Sequence, residues 1–217
     1  MRRPARFASL LAVLCTAEYA VSGAAEPGTD PEVLRLARSA ASAADGSESE
    51  SDPARRHELV QQAERDAEEC LARAPRAGAC EYARALSLGV AAREHPMRAL
   101  GLLKDMLRRL ERAEAADPDY DSAGPARVQA QVLAQAPGWP LGPGDGRAAL
   151  AAAQRAAQRH PEFPPNLLAL AQAQVKNGDR DGARASFSRA RDAAEALPPS
   201  ADRTEWLEKA QRALAAH

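Results

Sequence analysis

The residues best suited to chemistry in this chain are Cys70 and Cys80, which bound the stretch CLARAPRAGAC. We predict that they form a disulfide, because Cys70 ends one predicted helix and Cys80 lies early in the next, on facing sides of an antiparallel pair. Two free buried thiols are one alternative. A metal site is the other, and it would need His57 or His95 to converge on the pair in a chain that has neither C-x2-C nor H-x3-H spacing.

Two further stretches begin like functional motifs and then depart from them. HELVQ starts at His57 as a zinc-protease motif does, but Gln61 stands where the second histidine belongs. The acidic stretch 117–121 has the spacing that opens a calcium loop, but the glycine falls two residues late at Gly124, and Val128 occupies the position of the twelfth-residue glutamate. The chain also lacks G-x-S-x-G, P-loop and G-x-G-x-x-G motifs. We therefore predict no catalytic residue, no metal ligand and no cofactor, and we do not expect an enzyme.

The composition predicts an all-α protein. The chain has 217 residues, of which 45% are hydrophobic and only 4% aromatic, and much of the hydrophobic share is alanine, the best helix former. No run of β-branched or aromatic residues alternates with polar ones, so nothing predicts a strand. The formal net charge of −1 argues against nucleic acid as a partner.

The first 25 residues are typical of an export signal. MRRPAR is basic, FASLLAVLCTA is an apolar run too short to span a bilayer, and SGAA offers small residues for cleavage before Glu26. The alternatives are an N-terminal core helix and a lipoprotein signal ending at Cys15, although Leu14 is a poor residue before a lipidated cysteine. We expect a periplasmic protein with no membrane span in the mature chain. In an oxidising compartment, its two remaining cysteines favour a disulfide.

The remaining chain divides into residues 26–52 and 53–217. The first part holds a short helix-capable run followed by DGSESESD, which we interpret as an acidic, serine-rich linker unlikely to pack. The second part predicts a helical repeat domain, because Pro75, Pro118 and Pro161 recur every 43 residues, each after an alanine-rich amphipathic stretch. The predicted helices span 53–73, 77–93, 97–116, 123–135, 145–159, 164–177, 180–196 and 201–215.

The C-terminal half carries the pattern of a known repeat. Ala183, Phe187 and Ala190 have the spacing A-x3-F-x2-A, which matches the second helix of a tetratricopeptide repeat, and Ala156 precedes Ala190 by the repeat's length of 34 residues. We therefore predict a tetratricopeptide-repeat-like α-solenoid of antiparallel helix pairs. A generic alanine-rich helical bundle is the alternative, but it does not explain the shared phase of the prolines.

The middle of the chain resembles the T-component (TatT-like) family of TRAP transporters. The resemblance spans about residues 52–197 and is carried by the start of a helix at Gly124-Pro125-x-Arg127, the loop Pro137-Gly138-Trp139-Pro140, and the Pro161-x4-Asn166 entry into the last repeat. It implies an exported accessory protein that binds the substrate-binding protein of a TRAP-type uptake system and a small organic ligand. The runner-up interpretation is a general periplasmic scaffold for an envelope protein complex.

We predict that the first helices of the repeats line a largely apolar groove for a ligand or partner. Trp139, held between two prolines, would either wall a pocket or plug the end of the repeats. The alternative for the other residues is simple burial between helices. The predicted groove residues are Tyr82, Leu86, Pro125, Arg127, Gln129, Val132, Trp139, Leu168, Gln172 and Lys176, with Val175 on the same predicted face.

Overall fold

The computed structural model describes residues 30–216, and this part of the chain folds into nine α-helices without a β-strand. The all-α prediction is confirmed, and every predicted helix has a counterpart with ends displaced by at most three residues. The helices are α1 (Pro31–Ser49), α2 (Pro53–Arg73), α3 (Gly78–Glu94), α4 (Ala99–Ala116), α5 (Tyr120–Gln135), α6 (Gly146–Arg159), α7 (Pro164–Lys176), α8 (Arg180–Glu195) and α9 (Ala201–Ala216).

Successive helices pack as antiparallel pairs, and the pairs stack into an array. The pairs are α1–α2, α3–α4, α5–α6 and α7–α8, and α9 packs against α8 and α7. Helices α1, α3, α5, α7 and α9 also contact one another in that order, so they form an inner layer. Helices α2, α4, α6 and α8 form the outer layer. This arrangement confirms the predicted tetratricopeptide-repeat-like solenoid.

Alanine permits the close packing of the two layers. Ala113 of α4, Ala156 of α6 and Ala190 of α8 are fully buried, each five residues or fewer from the end of an outer helix. These are the small residues that the repeated pattern singles out, and a larger side chain there would separate the helices. The recurring prolines 75, 118 and 161 lie in the turns that follow α2, α4 and α6, where the absence of a backbone N–H costs no helical hydrogen bond.

Side-chain caps set the start of several outer helices. The carboxylates of Asp52, Asp145 and Asp179 accept hydrogen bonds from backbone N–H groups in the first turns of α2, α6 and α8. Such a cap satisfies donors that have no partner within the helix, and it stabilises a helix by about 1 kcal/mol. Since α2, α4, α6 and α8 run in the same direction, their N-termini lie at one end of the array.

The structure corrects the interpretation of residues 45–52 as a linker. Helix α1 continues through this acidic stretch to Ser49, and Ser47 is buried with its hydroxyl donating to the carbonyl of Ala44 at 2.6 Å. Gly46 lies against Leu59 of α2, and Glu48 pairs with Arg93 of α3 at 3.4 Å. The small residues and the ion pair allow an acidic sequence to pack, so only residues 50–52 separate α1 from α2.

The predicted disulfide between Cys70 and Cys80 is confirmed. It joins the end of α2 to the start of α3, with the Cα atoms 5.4 Å apart and both cysteines fully buried. In the chain-entropy account, closing a loop of this length stabilises the fold by about 3 kcal/mol. The bond therefore links an outer helix to the next inner helix.

No helix within residues 30–216 is long and apolar enough to cross a membrane. The predicted export signal, residues 1–25, and the alternative lipidation site at Cys15 lie outside the described residues.

Candidate functional site

The contacts of α5 define which of its sides faces the inner surface. Val128 and Val132 pack with α3 and α4 in one core cluster, whereas Ala130 and Leu133 pack against α6. The side chain of Gln129 points between the outer helices, where its carbonyl accepts a hydrogen bond from Arg155 of α6 at 2.8 Å. The remaining side of α5, which borders the inner surface, carries Arg127, Gln131 and Gln135 at helical spacing, and Arg127 on this side is buried against Asn166 of α7.

The same reasoning applies to α7. Leu168 and Val175 pack against α8 and α9, and Leu170 and Ala173 pack against α5 and α6. Gln174 accepts a hydrogen bond from Ser186 of α8 at 2.7 Å, which places it on the outer side. The inner side of α7 therefore carries Pro165, Ala169, Gln172 and Lys176 at helical spacing.

Two glutamine side chains on this inner surface have an unpartnered oxygen. The amide oxygens of Gln131 and Gln172 are both buried and accept no hydrogen bond within the described part of the chain. Gln131 is only 7% exposed. The two residues are 41 positions apart, close to the 43-residue repeat, so they stand at nearly the same level on the adjacent inner helices α5 and α7. A buried acceptor without a partner costs about 1–3 kcal/mol, and a donor on a bound molecule would recover that cost.

The structure divides the predicted groove residues into three groups. Gln172 lies on the side of α7 that borders the inner surface, the side chain of Lys176 lies close to Gly146 at the start of α6, and Gln129 lies between the outer helices. The remaining predicted groove residues, apart from Trp139, lie in the core. An inner helix contacts neighbouring helices on three sides, so most of its side chains are buried. The core residues are Tyr82, Leu86, Pro125, Arg127, Val132 and Leu168, and Val175 is partly buried against α8 and α9.

Trp139 neither walls a pocket nor plugs the repeat ends. Its side chain is 90% exposed, and Leu141 in the same α5–α6 connection is 77% exposed. The Trp139–Pro140 peptide bond is cis. The connection folds back on itself through hydrogen bonds from the N–H of Gly144 to Pro137 and from the N–H of Asp145 to Leu133. Gly144 approaches the backbone of Ala136 too closely to accommodate a Cβ atom, so a glycine is required there.

The start of α5 contains three consecutive residues with left-handed backbone conformation. Asp121, Ser122 and Ala123 have φ angles of 51°, 52° and 63°, a conformation that costs about 1–2 kcal/mol for each residue with a Cβ atom. Gly124 follows, where a Cβ atom would meet the hydroxyl of Tyr82 and the side chain of Asp121. The Gly-Pro-x-Arg motif therefore marks a sharp turn into the helix.

A buried polar network holds this turn. Arg127 is 3% exposed; it pairs with the carboxylate of Asp121 at 2.6 Å and donates to the carbonyls of Asp121 and Ser122 at 3.0 and 3.3 Å. Asn166 of α7 accepts from Arg127 at 3.2 Å and donates to the carbonyls of Ser122 and Ala156 at 3.0 and 3.1 Å. Tyr82 of α3 donates to Asp121 at 2.8 Å. The network thus joins three consecutive inner helices.

Burial and charge perturb the titration of this network. Burial, followed by the Asp121 carboxylate, raises the pKa of Tyr82 well above its ordinary value. The same two causes raise the pKa of Tyr120 to about 12. Burial lowers the pKa of Arg127, but the interactions with Asp121 and Tyr82 offset this effect, so the pKa is raised overall. The ring of Phe163 lies 5.3 Å from the guanidinium carbon of Arg127 and adds a cation–π contact.

A shallow pocket of about 350 Å³ adjoins the left-handed turn at the other end of the array from Trp139. Its apolar wall includes Phe163 and Leu197, and its rim carries Arg159, His160 and Glu162. Arg159 and His160 both contact the carboxylate of Asp119, at 3.1 and 3.2 Å. The rim charges are therefore largely matched within the protein. Among residues 30–216, no group of three or more His, Cys, Asp or Glu side chains is arranged to hold a metal ion.

Gln131 was missed by the sequence analysis. The 43-residue repeat relates Gln172 of α7 to Gln129 of α5, rather than to the glutamine two positions later, which lies on nearly the opposite side of the helix. The sequence does contain a signal that identifies Gln131. The apolar residues of α5 fall on two faces of the helix, one with positions 128 and 132 and the other with positions 126, 130 and 133, and Gln131 lies between these two faces.

Comparison with known proteins supports the repeat architecture. Residues 141–201, which cover part of the α5–α6 connection and helices α6 to α8, match the family model described as a tetratricopeptide repeat. No curated protein matches the chain. The family match agrees with the stacked helix pairs of the described region, and residues 141–201 are similar to a tetratricopeptide repeat.

Proposed function

We propose that this protein is a scaffold that binds a segment of a partner protein on the inner surface between α5 and α7. The supporting observation is the pair of unpartnered amide oxygens on Gln131 and Gln172, because backbone N–H groups of an inserted segment would supply the missing donors. Lys176, exposed at the end of α7, offers a cation to an acidic group of that segment. Tetratricopeptide repeats generally mediate protein interactions and are generally non-catalytic, so we propose binding rather than catalysis.

For the identity of the partner, we propose the substrate-binding protein of a TRAP-type uptake system, with the present chain as its exported accessory component and with a small organic ligand as cargo. This proposal rests on the resemblance between residues 52–197 and the T-component family. Arg127 of the resembling motif is a buried structural residue, so that motif supports a shared turn and does not discriminate between partners. The alternative is a general scaffold for an envelope complex.

The experiment that tests the proposed surface is a binding titration with a double variant. Gln131→Leu with Gln172→Leu removes both unpartnered acceptors and places apolar groups at one buried and one half-buried position, so we expect the free energy of unfolding to be unchanged or higher. Binding to the purified TRAP-type substrate-binding protein should weaken by at least about tenfold, measured by isothermal titration calorimetry.

The matched control is Gln129→Leu with Gln154→Leu, since both of these glutamines face the outer side. The dissociation constant of this variant should be within about twofold of that of the unaltered protein, which is a change in binding free energy well under about 1.4 kcal/mol. If both double variants bind equally well, the inner surface is not the binding site. If the unaltered protein does not bind the substrate-binding protein, the TRAP assignment fails and the envelope scaffold becomes the leading hypothesis.

We also propose that the protein is exported, on the basis of its basic start, short apolar run and small residues before Glu26. The intact mass of the protein purified from its own cells should correspond to an unlipidated chain that begins near Glu26. A diacylglycerol-modified Cys15 would contradict cleavage at that position.

A further inference from the structure

The outer helices α4, α6 and α8 carry an excess of positive charge that α1 and α2 do not share. Together α4, α6 and α8 hold eleven basic and six acidic residues, and α6 alone holds three arginines and no acidic residue. Helices α1 and α2 hold six arginines and eight acidic residues. The chain as a whole has a formal net charge of −1, so its positive charge is concentrated on three of the four outer helices.

Several of these cations have no counter-ion, and they cluster at one end. Lys104 lies in the second turn of α4, Arg147 in the first turn of α6, and Arg180 and Arg184 in the first two turns of α8. All four side chains are exposed and form no ion pair with a described residue, and the same holds for Arg98 just before α4. At the starts of α4, α6 and α8 the acidic groups are fewer: Asp105 pairs with Arg108, Asp145 and Asp179 cap helices, and Asp181 is exposed. Other acidic residues at this end of the array, around the α1–α2 connection, pair with arginines of α2 and α3.

The same end displays the large exposed apolar side chains. Met97 is 99%, Trp139 90%, Leu141 77% and Leu100 38% exposed. Met97 and Leu100 lie where α3 passes into α4, and Trp139 and Leu141 lie where α5 passes into α6. Because the helix pairs run in the same direction, both connections are at the end of the array where the outer helices begin. These four residues form what we call the apolar tip.

We propose that the apolar tip and the surrounding cations dock this protein onto an anionic lipid surface. Three of the tip side chains, those of Met97, Trp139 and Leu141, are at least 77% exposed, so no surrounding walls would enclose a partner side chain. The headgroup region of a bilayer accepts such protruding groups without a complementary shape. Tryptophan favours that region because its ring is amphipathic. Arg98, Lys104 and Arg147 stand beside the tip and would contact lipid phosphates, to which arginine is well matched.

The test is the binding of the purified protein to vesicles, followed by tryptophan fluorescence. Trp139 is exposed and Trp206 is buried, so a lipid-induced change should come from Trp139. Vesicles of phosphatidylglycerol and phosphatidylcholine should shift the emission to shorter wavelength, and brominated lipids should quench it. Pure phosphatidylcholine vesicles should bind far more weakly, and 0.5 M salt should release the protein, since salt screens exposed charges.

Two sets of variants separate the apolar and electrostatic contributions. Trp139→Ser with Leu141→Ser should abolish sedimentation with vesicles while the helical content stays unchanged. Lys104→Glu with Arg147→Glu should weaken binding by at least about thirtyfold. Each basic residue near an anionic membrane contributes about 1 kcal/mol, and the loss of two such contributions corresponds to this factor. The matched control, Arg65→Glu with Arg76→Glu, reverses the same number of exposed charges away from the tip and should weaken binding less than about threefold.

Three outcomes would overturn the proposal. The first is no binding to vesicles that contain phosphatidylglycerol. The second is equal weakening by the tip-side and control charge reversals, which would indicate a nonspecific charge effect. The third is retention on immobilised polyglutamate without binding to vesicles, which would assign the basic face to an acidic protein partner instead.

Discussion

The inner helices α3, α5 and α7 and the outer helices α4, α6 and α8 have nearly equal lengths but use polar residues in different ways. The three inner helices carry seven charged residues, and the three outer helices carry seventeen. On α5, the single arginine is buried in a network that joins three helices. On the outer helices, most cations are exposed and pair with acids on the surface, or do not pair at all.

The difference follows from the number of neighbours. An inner helix contacts the inner helices before and after it and its own outer partner, so a polar side chain there must find a partner or remain at a cost. An outer helix has one broad solvent-facing side, and water satisfies its polar groups. A polar residue on an inner helix is therefore informative about structure or binding, whereas a polar residue on an outer helix is usually a solvated surface residue.

The largest expected effect comes from removing the buried arginine. Arg127→Leu would leave Asp121 without its cation and remove the hydrogen bonds to two carbonyls of the left-handed turn. Breaking a buried pair by removing one partner typically costs 3–5 kcal/mol, so we expect a loss of about 4 kcal/mol in the free energy of unfolding. Urea titration followed by circular dichroism measures it.

The control for this prediction is Arg127→Lys, which keeps the charge but cannot reach all of the same acceptors. It should lose less stability than Arg127→Leu. An Arg127→Leu protein that unfolds at the same urea concentration as the unaltered protein would show that the network contributes nothing to stability. Buried polar residues of the inner helices would then not stabilise the fold more than exposed ones of the outer helices do.

The same contrast explains what the sequence could and could not predict. The outer helices are amphipathic, so Ala113, Ala156 and Ala190 could be recognised as buried from their spacing, and the repeat followed from them. The inner helices have apolar residues on several sides, so their phase could not be read with the same certainty, and Gln129 was placed on the inner surface instead of Gln131. Tyr82 and Arg127 are predicted to line a groove but are buried. Their burial depends on neighbouring helices that are distant in sequence, and the sequence alone does not reveal these neighbours.

A second, smaller effect concerns the two tyrosines near the start of α5. Tyr82 and Tyr120 have a raised pKa in the folded protein, about 12 for Tyr120, so above pH 10 the unfolded chain loses these protons first. The stabilisation is fully present below about pH 10, and the contribution of Tyr120 should fall by about 2 kcal/mol as the pH rises from 10 to 12. Urea titrations across this range measure the slope.

Tyr120→Phe supplies the comparison for the alkaline effect. The variant lacks one titrating hydroxyl, whereas the lysines contribute equally to both proteins. Its free energy of unfolding should therefore decline less steeply above pH 10. Parallel curves for the two proteins would show that Tyr120 titrates in the folded state as it does in the unfolded chain.

The smallest expected effect belongs to the best-formed ion pair between outer helices. Arg155 of α6 donates to the carboxylate of Glu114 on α4 at 2.7 and 2.9 Å and to Gln129 at 2.8 Å. Its geometry rivals that of Arg127, but its side chain is 45% exposed. Because water competes for these groups, Arg155→Ala should cost no more than about 1 kcal/mol, and 0.5 M salt should reduce that cost. The same urea titration measures both. A cost near that of Arg127→Leu would mean that the hydrogen-bond count, rather than burial, determines how much each arginine contributes.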